Sequence, residues 1–352
     1  MTSPTQSDLA VSSTSSPVAQ LGSLLQDAGV ARLNGISWIR VTGEDRVRWL
    51  NGMVTNSIQS LAPGEGNYNF FLSVQGRIQG DANIFAGPDD LLIETASSQL
   101  PGLIALLDRF IIMDDVELAD VSGAVTALFV AGPRAASLLR QIGLEFSDRE
   151  SIFMQNAPWN GAEVRVIHAY GPLVPRYELW ADTATATKML QALQGAGAAI
   201  IEEQALEQLR ILEGTPLYGT DIRDRELPQE TAQTRALHFA KGCYLGQEIV
   251  ERIRSRGNVH RTFSGFRLEG ELPAAGALLE ADGKQVGELT SAASIPLLKG
   301  AVQLGLGYIR REVLDRGLAI AYPGGIAVPV PLPFSNAAAS EPQPASETSE
   351  RV

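Results

Sequence analysis

Cysteine and histidine are scarce in this sequence of 352 residues, which contains one cysteine, Cys243, and three histidines. A single cysteine excludes a disulfide within the chain, and it excludes a zinc or iron–sulfur site built from several cysteines of this chain. The histidines are scattered and form no pattern such as His-x-x-x-His, so we predict no metal site. Glycine-rich phosphate-binding loops of the P-loop or Rossmann type are also missing from the sequence.

Long apolar stretches and excess positive charge are missing as well. No run of 18 apolar residues occurs, so we expect no transmembrane helix. The N-terminus lacks a basic segment followed by an apolar one, which argues against a signal peptide. The net charge is -12 at pH 7, which is unfavourable for general binding to nucleic acids. These absences predict a cytoplasmic protein without membrane or nucleic-acid partners.

The composition changes along the chain and predicts four segments. Residues 1–17 and 335–352 are rich in small and polar residues, and we predict both to be disordered tails. Residues 18–260 intermix predicted strands and helices without a regular strand-helix-strand repeat. This arrangement indicates an α+β region of two subdomains rather than a doubly wound sheet.

Hydrophobic periodicity and turn residues predict the individual elements of residues 18–260. The predicted helices are 21–27, 44–54, 100–110, one that ends at 141, 183–195, 202–213 and one that follows Cys243. The predicted strands are 37–41, 68–74, 77–85, 91–94, 116–118, 126–130, 163–168 and 176–180. The strands 68–74 and 77–85 are expected to form a hairpin around a turn at Gln75-Gly76.

Short predicted strands separated by Gly, Pro and Asp-Gly turns dominate residues 261–334. The predicted strands are 263–268, 278–280, 285–290, 303–309 and 319–330. Several short strands within about 70 residues are typical of a small closed β-barrel.

The stretch Lys241-Gly242-Cys243-Tyr244-Leu245-Gly246-Gln247-Glu248 carries the single cysteine and leads into a predicted helix. Cys243 would lie just before the helix N-terminus and close to Lys241, and both features stabilise a thiolate. We therefore predict that Cys243 is solvent-reachable and reactive near neutral pH. The alternative is a small buried hydrophobic residue, which is the commoner environment of a lone cysteine.

This stretch, Lys-Gly-Cys-aromatic-x-Gly-Gln-Glu followed by an arginine-rich run, resembles the signature of the YgfZ-type folate-binding proteins. These proteins are relatives of the aminomethyltransferase, or T-protein, of the glycine cleavage system. The resemblance covers most of the chain between the tails. It implies α+β lobes that bind tetrahydrofolate or another reduced folate, followed by a C-terminal β-barrel.

Three further segments resemble the T-protein and imply roles for individual residues. Asp81, at the end of the segment 76–81, matches the proposed catalytic aspartate, but Gly80 stands where the T-protein commonly has a second aspartate. Glu178 matches the glutamate that holds the pterin ring, and Arg210 matches an arginine that meets the folate carboxylates. The acidic, glycine-rich segment that precedes this glutamate in the T-protein is replaced here by residues 171–175.

Each of these residues also has an ordinary structural reading. Glu178 offers two acceptor oxygens to the adjacent N–H donors of a pterin, or it is a solvent-facing acid on an edge strand. Arg210 either pairs with a ligand carboxylate or covers apolar surface with its aliphatic stem. Asp81 is either a surface acid or a partly buried acid or base with a raised pKa.

Arginines are concentrated after the cysteine motif, where residues 251–261 contain Arg252, Arg254, Arg256 and Arg261 against one acid, Glu251. In an acidic protein they form a local patch that suits the anionic tail of a polyglutamylated folate. Alternatively, they are solvated side chains that complement the helix dipole. We assign Glu178, Arg210, Lys241, Gln247, Arg252 and Arg254 to cofactor binding, and Cys243 and Asp81 to catalysis.

The sequence therefore predicts a folate-binding accessory protein. The resemblance implies support for the assembly or repair of iron–sulfur clusters in client proteins, with Cys243 in a thiol-dependent role. The alternative is a folate-dependent aminomethyltransferase in which Asp81 is catalytic; the missing aspartate and the missing acidic segment argue against it. A third reading is an interaction module that uses the arginines to bind a partner such as RNA.

Overall fold

The computed structural model describes residues 16–150, 152–257, 259–297 and 300–334. Its helices are α1 Pro17–Gln26, α2 Arg46–Asn51, α3 Leu100–Asp108, α4 Ala135–Gln141, α5 Thr183–Gly195, α6 Glu203–Glu213, α7 Gln247–Arg256 and α8 Arg311–Asp315. No helix in these ranges is both long and apolar enough to span a lipid bilayer. The predicted tails 1–17 and 335–352 lie outside the described residues, except that Ser16 caps helix α1, which begins at Pro17.

The strands belong to two open sheets and one barrel. Those of the sheets are β1 Gly29–Leu33, β2 Ile36–Thr42, β3 Gly66–Leu72, β4 Ile78–Ala86, β5 Leu91–Ala96, β6 Glu117–Asp120, β7 Thr126–Ala131, β8 Phe153–Trp159, β9 Ala162–Ala169, β10 Arg176–Ala181 and β11 Ala199–Ile200. Those of the barrel are β12 Arg261–Gly270, β13 Leu278–Ala281, β14 Lys284–Leu297, β15 Gly300–Arg310, β16 Ala321–Tyr322 and β17 Gly325–Val330.

The first sheet has five antiparallel strands in the order β3-β4-β5-β2-β6. Helices α2 and α3 cover its outer face, where Leu50 and Leu103 pack against the apolar side chains of the strands. Strands β3 and β4 form the predicted hairpin, and its turn places Gly76 at a φ of 70°. Glycine adopts this left-handed conformation without steric cost, which explains the sharp turn.

The second sheet has six strands in the order β11-β1-β7-β10-β9-β8, and α4 and α5 cover its outer face. Helix α5 begins where the predicted helix does, because the Asp182 carboxylate accepts hydrogen bonds from the N–H groups of Ala184 and Thr185. The sequence did not predict β1, β8 or β11. Strand β8 lies at the edge of the sheet, where Pro158 and several polar residues are tolerated, so its sequence carries little strand signal.

The inner faces of the two sheets pack against each other. Trp38 and Phe85 of the first sheet contact Trp180 of the second edge-to-face, with ring centroids 5.3 Å and 5.5 Å apart. Each such aromatic pair contributes about 0.5–1.5 kcal/mol beyond the area that it buries. This aromatic cluster fixes β10 opposite β4 and β5, and it thereby positions the polar residues of these strands.

A closed antiparallel barrel, β12-β15-β14-β13-β16-β17, follows the two sheets. The predicted α+β class with a C-terminal β-barrel is confirmed. The prediction of one strand over 319–330 is wrong, because the turn at Pro323-Gly324, with Gly324 at a φ of 99°, divides this segment into β16 and β17. Helix α8 was not predicted.

Arg210 attaches helix α6 to the barrel. Its guanidinium donates to both carboxylate oxygens of Glu207, to the carbonyl of Thr215, to Asp221 at 2.6 Å and to the Ser291 hydroxyl at 2.8 Å. Asp221 is fully buried, whereas the Glu207 side chain is 45% exposed. Asp221 also accepts hydrogen bonds from the hydroxyls of Thr290 and Ser291 on β14, so the buried pair of Arg210 and Asp221 joins α6 to the barrel.

Replacing Asp221 by asparagine should destabilise the protein by about 3–5 kcal/mol, because it removes one partner of a buried ion pair. The matched change Glu207→Gln removes the exposed partner of the same arginine and should cost about 1 kcal/mol or less. Urea unfolding of both variants measures the two free energies. Equal losses would show that Asp221 is no more important to the fold than a surface acid.

Candidate functional site

A row of polar side chains crosses the inner faces of the two sheets. Asp81 and Asn83 alternate with apolar residues on β4, Glu94 lies opposite Asn83 on β5, and Glu178 lies on β10. Glu94 and Glu178 are buried, and Asp81 and Asn83 are partly buried. The strand alternation of β10 places Tyr177 and Leu179 in the apolar core on the opposite face, as the sequence predicted.

Asp81 is held on both oxygen atoms. The Tyr68 hydroxyl donates to its Oδ2 at 2.5 Å, and the Gln99 amide donates to its Oδ1 at 2.8 Å. Burial raises the pKa of Asp81, while these two hydrogen bonds and the positive charge of Arg235 oppose the shift. The structure therefore places Asp81 in a partly buried, fixed position.

Gly80 leaves no room for a second aspartate beside Asp81. A Cβ atom at this position would lie 2.6 Å from Leu103 Cδ2 and 3.0 Å from Gln99 Oε1. Helix α3 thus packs directly onto the backbone of β4. Gly80 stands where the T-protein commonly has an aspartate, and the close packing of Leu103 and Gln99 against it explains why a glycine suits this position.

Glu94 and Glu178 form a hydrogen-bonded pair of carboxyl groups between the sheets. The Asn83 amide donates to Glu94 Oε2 at 2.9 Å, and the Trp180 indole N–H donates to Glu178 Oε2 at 2.9 Å. Burial and the adjacent negative charge of Glu178 raise the pKa of Glu94 well above its ordinary value. Two adjacent negative charges in a buried site are unfavourable, so the pair favours the protonated form of Glu94.

Two polar atoms beside this pair are buried without a partner among the described residues. They are Asn83 Oδ1, an acceptor, and Trp38 Nε1, a donor. Trp38 lies opposite Glu94 in the β2–β5 ladder. Buried polar groups are nearly always hydrogen-bonded, so these two atoms mark a place where a ligand with both donors and acceptors would be stabilised.

Arg235 lies between two tyrosine rings. Its Cζ is 4.1 Å from the ring centroid of Tyr68 and 3.9 Å from that of Tyr170. Tyr68 is the residue that donates to Asp81, so the arginine is joined to the polar row through this ring. Burial lowers the pKa of Arg235, and the nearby tyrosines and Asp81 oppose that shift.

A cavity of about 690 Å³ opens beside Arg235. Tyr170 and Gln233, which both contact Arg235, line it together with Glu213, Phe263 and the proline-rich end of β17. The side chains of Asp81 and Glu178 are not part of this lining. The cavity therefore adjoins the polar row through Arg235 and the tyrosines and does not contain it.

The resemblance implies that Arg210 binds a folate carboxylate, whereas in the structure Arg210 binds other groups of the protein. A guanidinium has five N–H donors, and the five hydrogen bonds of Arg210 all go to protein acceptors. Its role in binding a folate carboxylate stays a prediction, and it would require Arg210 to leave these partners.

Lys241 attaches the cysteine motif to the turn that follows α2. Its ammonium donates to the carbonyls of Asn51, Val54 and Asn56 at 2.6–2.7 Å. Burial lowers the pKa of Lys241 to about 7, but the three carbonyls favour the charged form and oppose this shift. Its three N–H donors are thus used within the protein, and binding of a folate by Lys241 stays a prediction.

Gly246 brings the motif into close contact with the β3–β4 hairpin. It has a φ of 79°, and a Cβ atom would lie 2.5 Å from the carbonyl oxygen of Ser73. Gln247, predicted as a cofactor ligand, accepts a hydrogen bond from the N–H of Tyr244 and so closes the turn before α7. Gly246 and Gln247 therefore each have a structural role in this turn.

Cys243 is exposed, as predicted from the sequence, so it is not a buried hydrophobic residue. Helix α7 begins at Gln247, one turn further along the chain than the sequence indicated. The ammonium of Lys241 is bound to carbonyl oxygens, so it is not free to pair with the thiol.

The two arginines assigned to the folate tail lie on the exposed side of α7. Arg252 is exposed, and Arg254 packs over the ring of Phe239 at 4.6 Å. Arg254 and Arg311 line a second cavity of about 310 Å³, which shares Ala232 and Gln233 with the first. Arg254 therefore lies near an extension of the main cavity, whereas no contact in the described residues links Arg252 to it.

A family model for the GCVT N-terminal domain matches residues 19–241 of this chain. The chain belongs to the GCVT family. The match contains Asp81, Glu94, Glu178 and Arg235, and it ends at Lys241, so Cys243 lies beyond it.

Relatives of this GCVT family protein share about a quarter of its residues. A chloroplastic protein of Arabidopsis thaliana, named as a candidate transferase, is 25% identical over 292 residues, which cover 82% of this chain and 66% of that protein. An aminomethyltransferase of Frankia alni is 27% identical over 299 residues, covering 83% of this chain and 79% of that protein.

The crystal structure of the glycine cleavage system aminomethyltransferase T from Bartonella henselae superposes with a TM-score of 0.81. The two chains are 19% identical, and the superposition covers 91% of this chain and 89% of the other. The GCVT family protein described here therefore has the T-protein fold.

Sequence reasoning missed Glu94 and Arg235. Glu94 interrupts the apolar run 91–93 of a buried strand, and one charged residue on such a strand is a detectable signal. Arg235 follows a neutral stretch before the cysteine motif, and its place between Tyr68 and Tyr170 depends on contacts across the fold that local sequence does not specify.

Replacing Glu94 by glutamine should change how stability depends on pH. The pKa of Glu94 is raised from 4.5 in the folded protein, so the wild-type protein holds this proton more tightly than the unfolded chain does. Its free energy of unfolding should fall as pH rises above 4.5 toward the folded pKa, by about 1.4 kcal/mol per pH unit. Glutamine binds no proton, so this contribution should vanish.

Urea unfolding of Glu94→Gln and wild type between about pH 5 and about pH 8 measures the difference. Glu163→Gln, which changes an exposed acid on the neighbouring strand β9, serves as the control. The stability of Glu94→Gln relative to wild type should rise with pH, while the control should run parallel to wild type. If all three curves run parallel, the proton is not held at Glu94.

Proposed function

We propose that this protein binds a reduced folate with the pterin ring at the Glu94–Glu178 pair. Proteins of the GCVT family bind tetrahydrofolate. The observation that carries the proposal is the position of Glu178, a buried carboxyl group next to a second carboxyl group whose pKa is raised and next to two polar atoms that have no partner among the described residues. These side chains place hydrogen-bond acceptors and donors side by side between the sheets. The edge of a pterin ring carries both donors and acceptors, so it is suited to bind them.

The residues present fit a pterin chemically. A carboxylate accepts two adjacent N–H donors of the ring, which is the role proposed for Glu178. Glu94, whose raised pKa favours the protonated form, and the indole N–H of Trp38 supply donors for the acceptor atoms of the ring, and Asn83 Oδ1 supplies a further acceptor. When bound, the folate supplies the one-carbon carrier, and the chain binds and orients it.

We further propose that the protein supports iron–sulfur proteins through Cys243. An exposed thiol on a loop that is fixed by Lys241 and Gly246 is accessible to a partner and is held in one place. The thiol provides one cluster ligand or one exchanging sulfur, and the partner provides the others. This accessory function goes beyond what the GCVT family implies and depends on the cysteine motif.

The second candidate is aminomethyl transfer to tetrahydrofolate, and the environment of Asp81 favours it. A carboxyl group that is held by Tyr68 and Gln99, with a pKa raised by burial, is suited to accept or donate a proton. The relatives named aminomethyltransferases add support. The position of Gly80, which excludes a second aspartate, argues against it.

Glu178→Gln should weaken binding of tetrahydrofolate by about 10- to 100-fold, because an amide replaces a charge-assisted acceptor. Anaerobic calorimetry measures the dissociation constant. Glu163→Gln is the matched control, since it changes an exposed glutamate on β9 and should bind as wild type does. Equal affinity of Glu178→Gln and wild type would remove Glu178 from the site.

The two candidate functions respond to different substitutions. Under the accessory function, Cys243→Ser should bind tetrahydrofolate with nearly wild-type affinity and should fail to restore iron–sulfur enzyme activity in a complementation assay. Under the transferase function, the protein should release a one-carbon unit from an aminomethylated carrier protein to tetrahydrofolate, and Asp81→Asn should stop this reaction. We expect the first pattern; turnover that depends on Asp81, with full complementation by Cys243→Ser, would reverse the assignment.

A further inference from the structure

Arg235 is a partly buried cation that has no acidic partner among the described residues. Its guanidinium lies within about 4 Å of two tyrosine rings, and its one hydrogen bond runs from Nε to the side-chain oxygen of Gln233 at 3.2 Å. Within the described residues, no carboxylate forms an ion pair with it. A charged group that is partly removed from water is stabilised by an ion pair or by hydrogen bonds, so Arg235 is suited to bind a further, anionic partner.

Asp81 does not fill this role. Its charge acts on Arg235 at a distance, but its two oxygen atoms already accept hydrogen bonds from Tyr68 and Gln99. Moving Asp81 onto the arginine would break one of these bonds. The terminal nitrogens of Arg235 are therefore free of protein acceptors in the described part of the chain.

The two aromatic contacts fix the plane of the guanidinium and leave its edge available. A guanidinium that stacks on aromatic faces still directs its terminal N–H groups outward in its own plane, where they match the two oxygens of a carboxylate. Tyr170 and Gln233, which hold Arg235, both line the cavity of about 690 Å³. Arg235 itself does not line the cavity, but the two residues that contact it do, so the arginine lies directly behind this part of the cavity wall.

The rest of the cavity suits an aromatic ligand with an acid at one end. Phe263, Leu314, Leu318 and the prolines at 329, 331 and 333 provide apolar walls. Glu213 is the one charged side chain among the described lining residues, and its charge is paired with Arg176 at 2.5 Å. Arg235, next to the cavity behind Tyr170 and Gln233, forms no ion pair among the described residues, and its positive charge favours an anion.

We infer that Arg235 binds a carboxylate of the aminobenzoyl-glutamate half of the folate. The inference rests on the proposed folate binding and assigns the carboxylate to a residue other than Arg210, whose five donors are already used. Arg176 and Glu178 are two residues apart on β10, about 7 Å along the strand, and the charge of Arg176 acts on Arg235. A folate with its pterin at Glu178 thus extends past Arg176 toward Arg235 and the cavity.

The test compares three ligands on the full chain by calorimetry and ligand-observed NMR. The ligands are tetrahydrofolate, 6-methyltetrahydropterin, which lacks the aminobenzoyl-glutamate half, and p-aminobenzoyl-glutamate, which lacks the pterin. Arg235→Gln should bind tetrahydrofolate about 10- to 100-fold more weakly and should not bind p-aminobenzoyl-glutamate detectably. Its affinity for 6-methyltetrahydropterin should equal that of wild type.

Two further variants separate charge from structure. Arg40→Gln removes an exposed arginine on β2 and should leave all three affinities unchanged. Arg235→Lys keeps the charge without the planar fork and should retain part of the selectivity for tetrahydrofolate over 6-methyltetrahydropterin. This variant also serves if Arg235→Gln folds poorly.

Three results would overturn the inference. They are an equal loss of affinity for tetrahydrofolate and 6-methyltetrahydropterin in Arg235→Gln, unchanged affinity for all ligands, and a wild-type protein that does not bind p-aminobenzoyl-glutamate. Failure of the proposed function gives a different pattern, in which wild type binds neither tetrahydrofolate nor 6-methyltetrahydropterin. In that case, binding of p-aminobenzoyl-glutamate that depends on Arg235 would still support a carboxylate site.

Discussion

Two carboxyl groups removed from water, those of Glu94 and Glu178, set the main constraint on this structure. They come from different sheets, so the sheets must meet in one register for the two carboxyl groups to form a hydrogen bond. Trp180 and Asn83 supply the hydrogen bonds that make this burial tolerable. Apolar residues in place of a buried polar pair are often as stable or more stable, so retention of two acids here is better explained by a ligand than by stability.

Arg235 and the thiol of Cys243 belong to one continuous segment of the chain. Residues 235–246 begin at Arg235, against the cavity and the tyrosines, and end at Gly246, against the β3–β4 hairpin. Lys241 fixes the middle of this segment to the carbonyls of the turn after α2. Cys243 is exposed between Lys241 and Gly246, which are both held by contacts with the rest of the protein. The hairpin that Gly246 contacts also carries Asp81. The thiol therefore has a defined position relative to the polar row.

The sequence was most informative where local chemistry decides the structure. The start of helix α5 at Thr183, the turn at Gly76 and the exposed thiol at Cys243 all depend on neighbouring residues, and each was predicted. Contacts between residues of distant strands could not be predicted in this way. Arg210 could be placed on its helix, but its bond to buried Asp221 across the chain could not be read from the sequence.

The same difference between local motifs and long-range contacts explains which residues of the candidate site were predicted from the sequence. Asp81 and Glu178 were recognised because short motifs surround them, although the hydrogen bonds from Tyr68 and Gln99 that hold Asp81 could not be predicted from those motifs. Glu94 has no motif, and its importance arises from facing Glu178 across two sheets. A charged residue in an otherwise apolar strand is the sequence signal that would have identified it.

A crystal structure of the full chain with tetrahydrofolate, prepared anaerobically, tests the central claim most directly. The account predicts that the adjacent N–H groups of the pterin lie within hydrogen-bond distance of the Glu178 carboxylate, with Glu94 and Asn83 on the same ring. It also predicts that the glutamate end extends toward Arg235. A pterin bound elsewhere, with the Glu94–Glu178 pair untouched by ligand, would contradict the account.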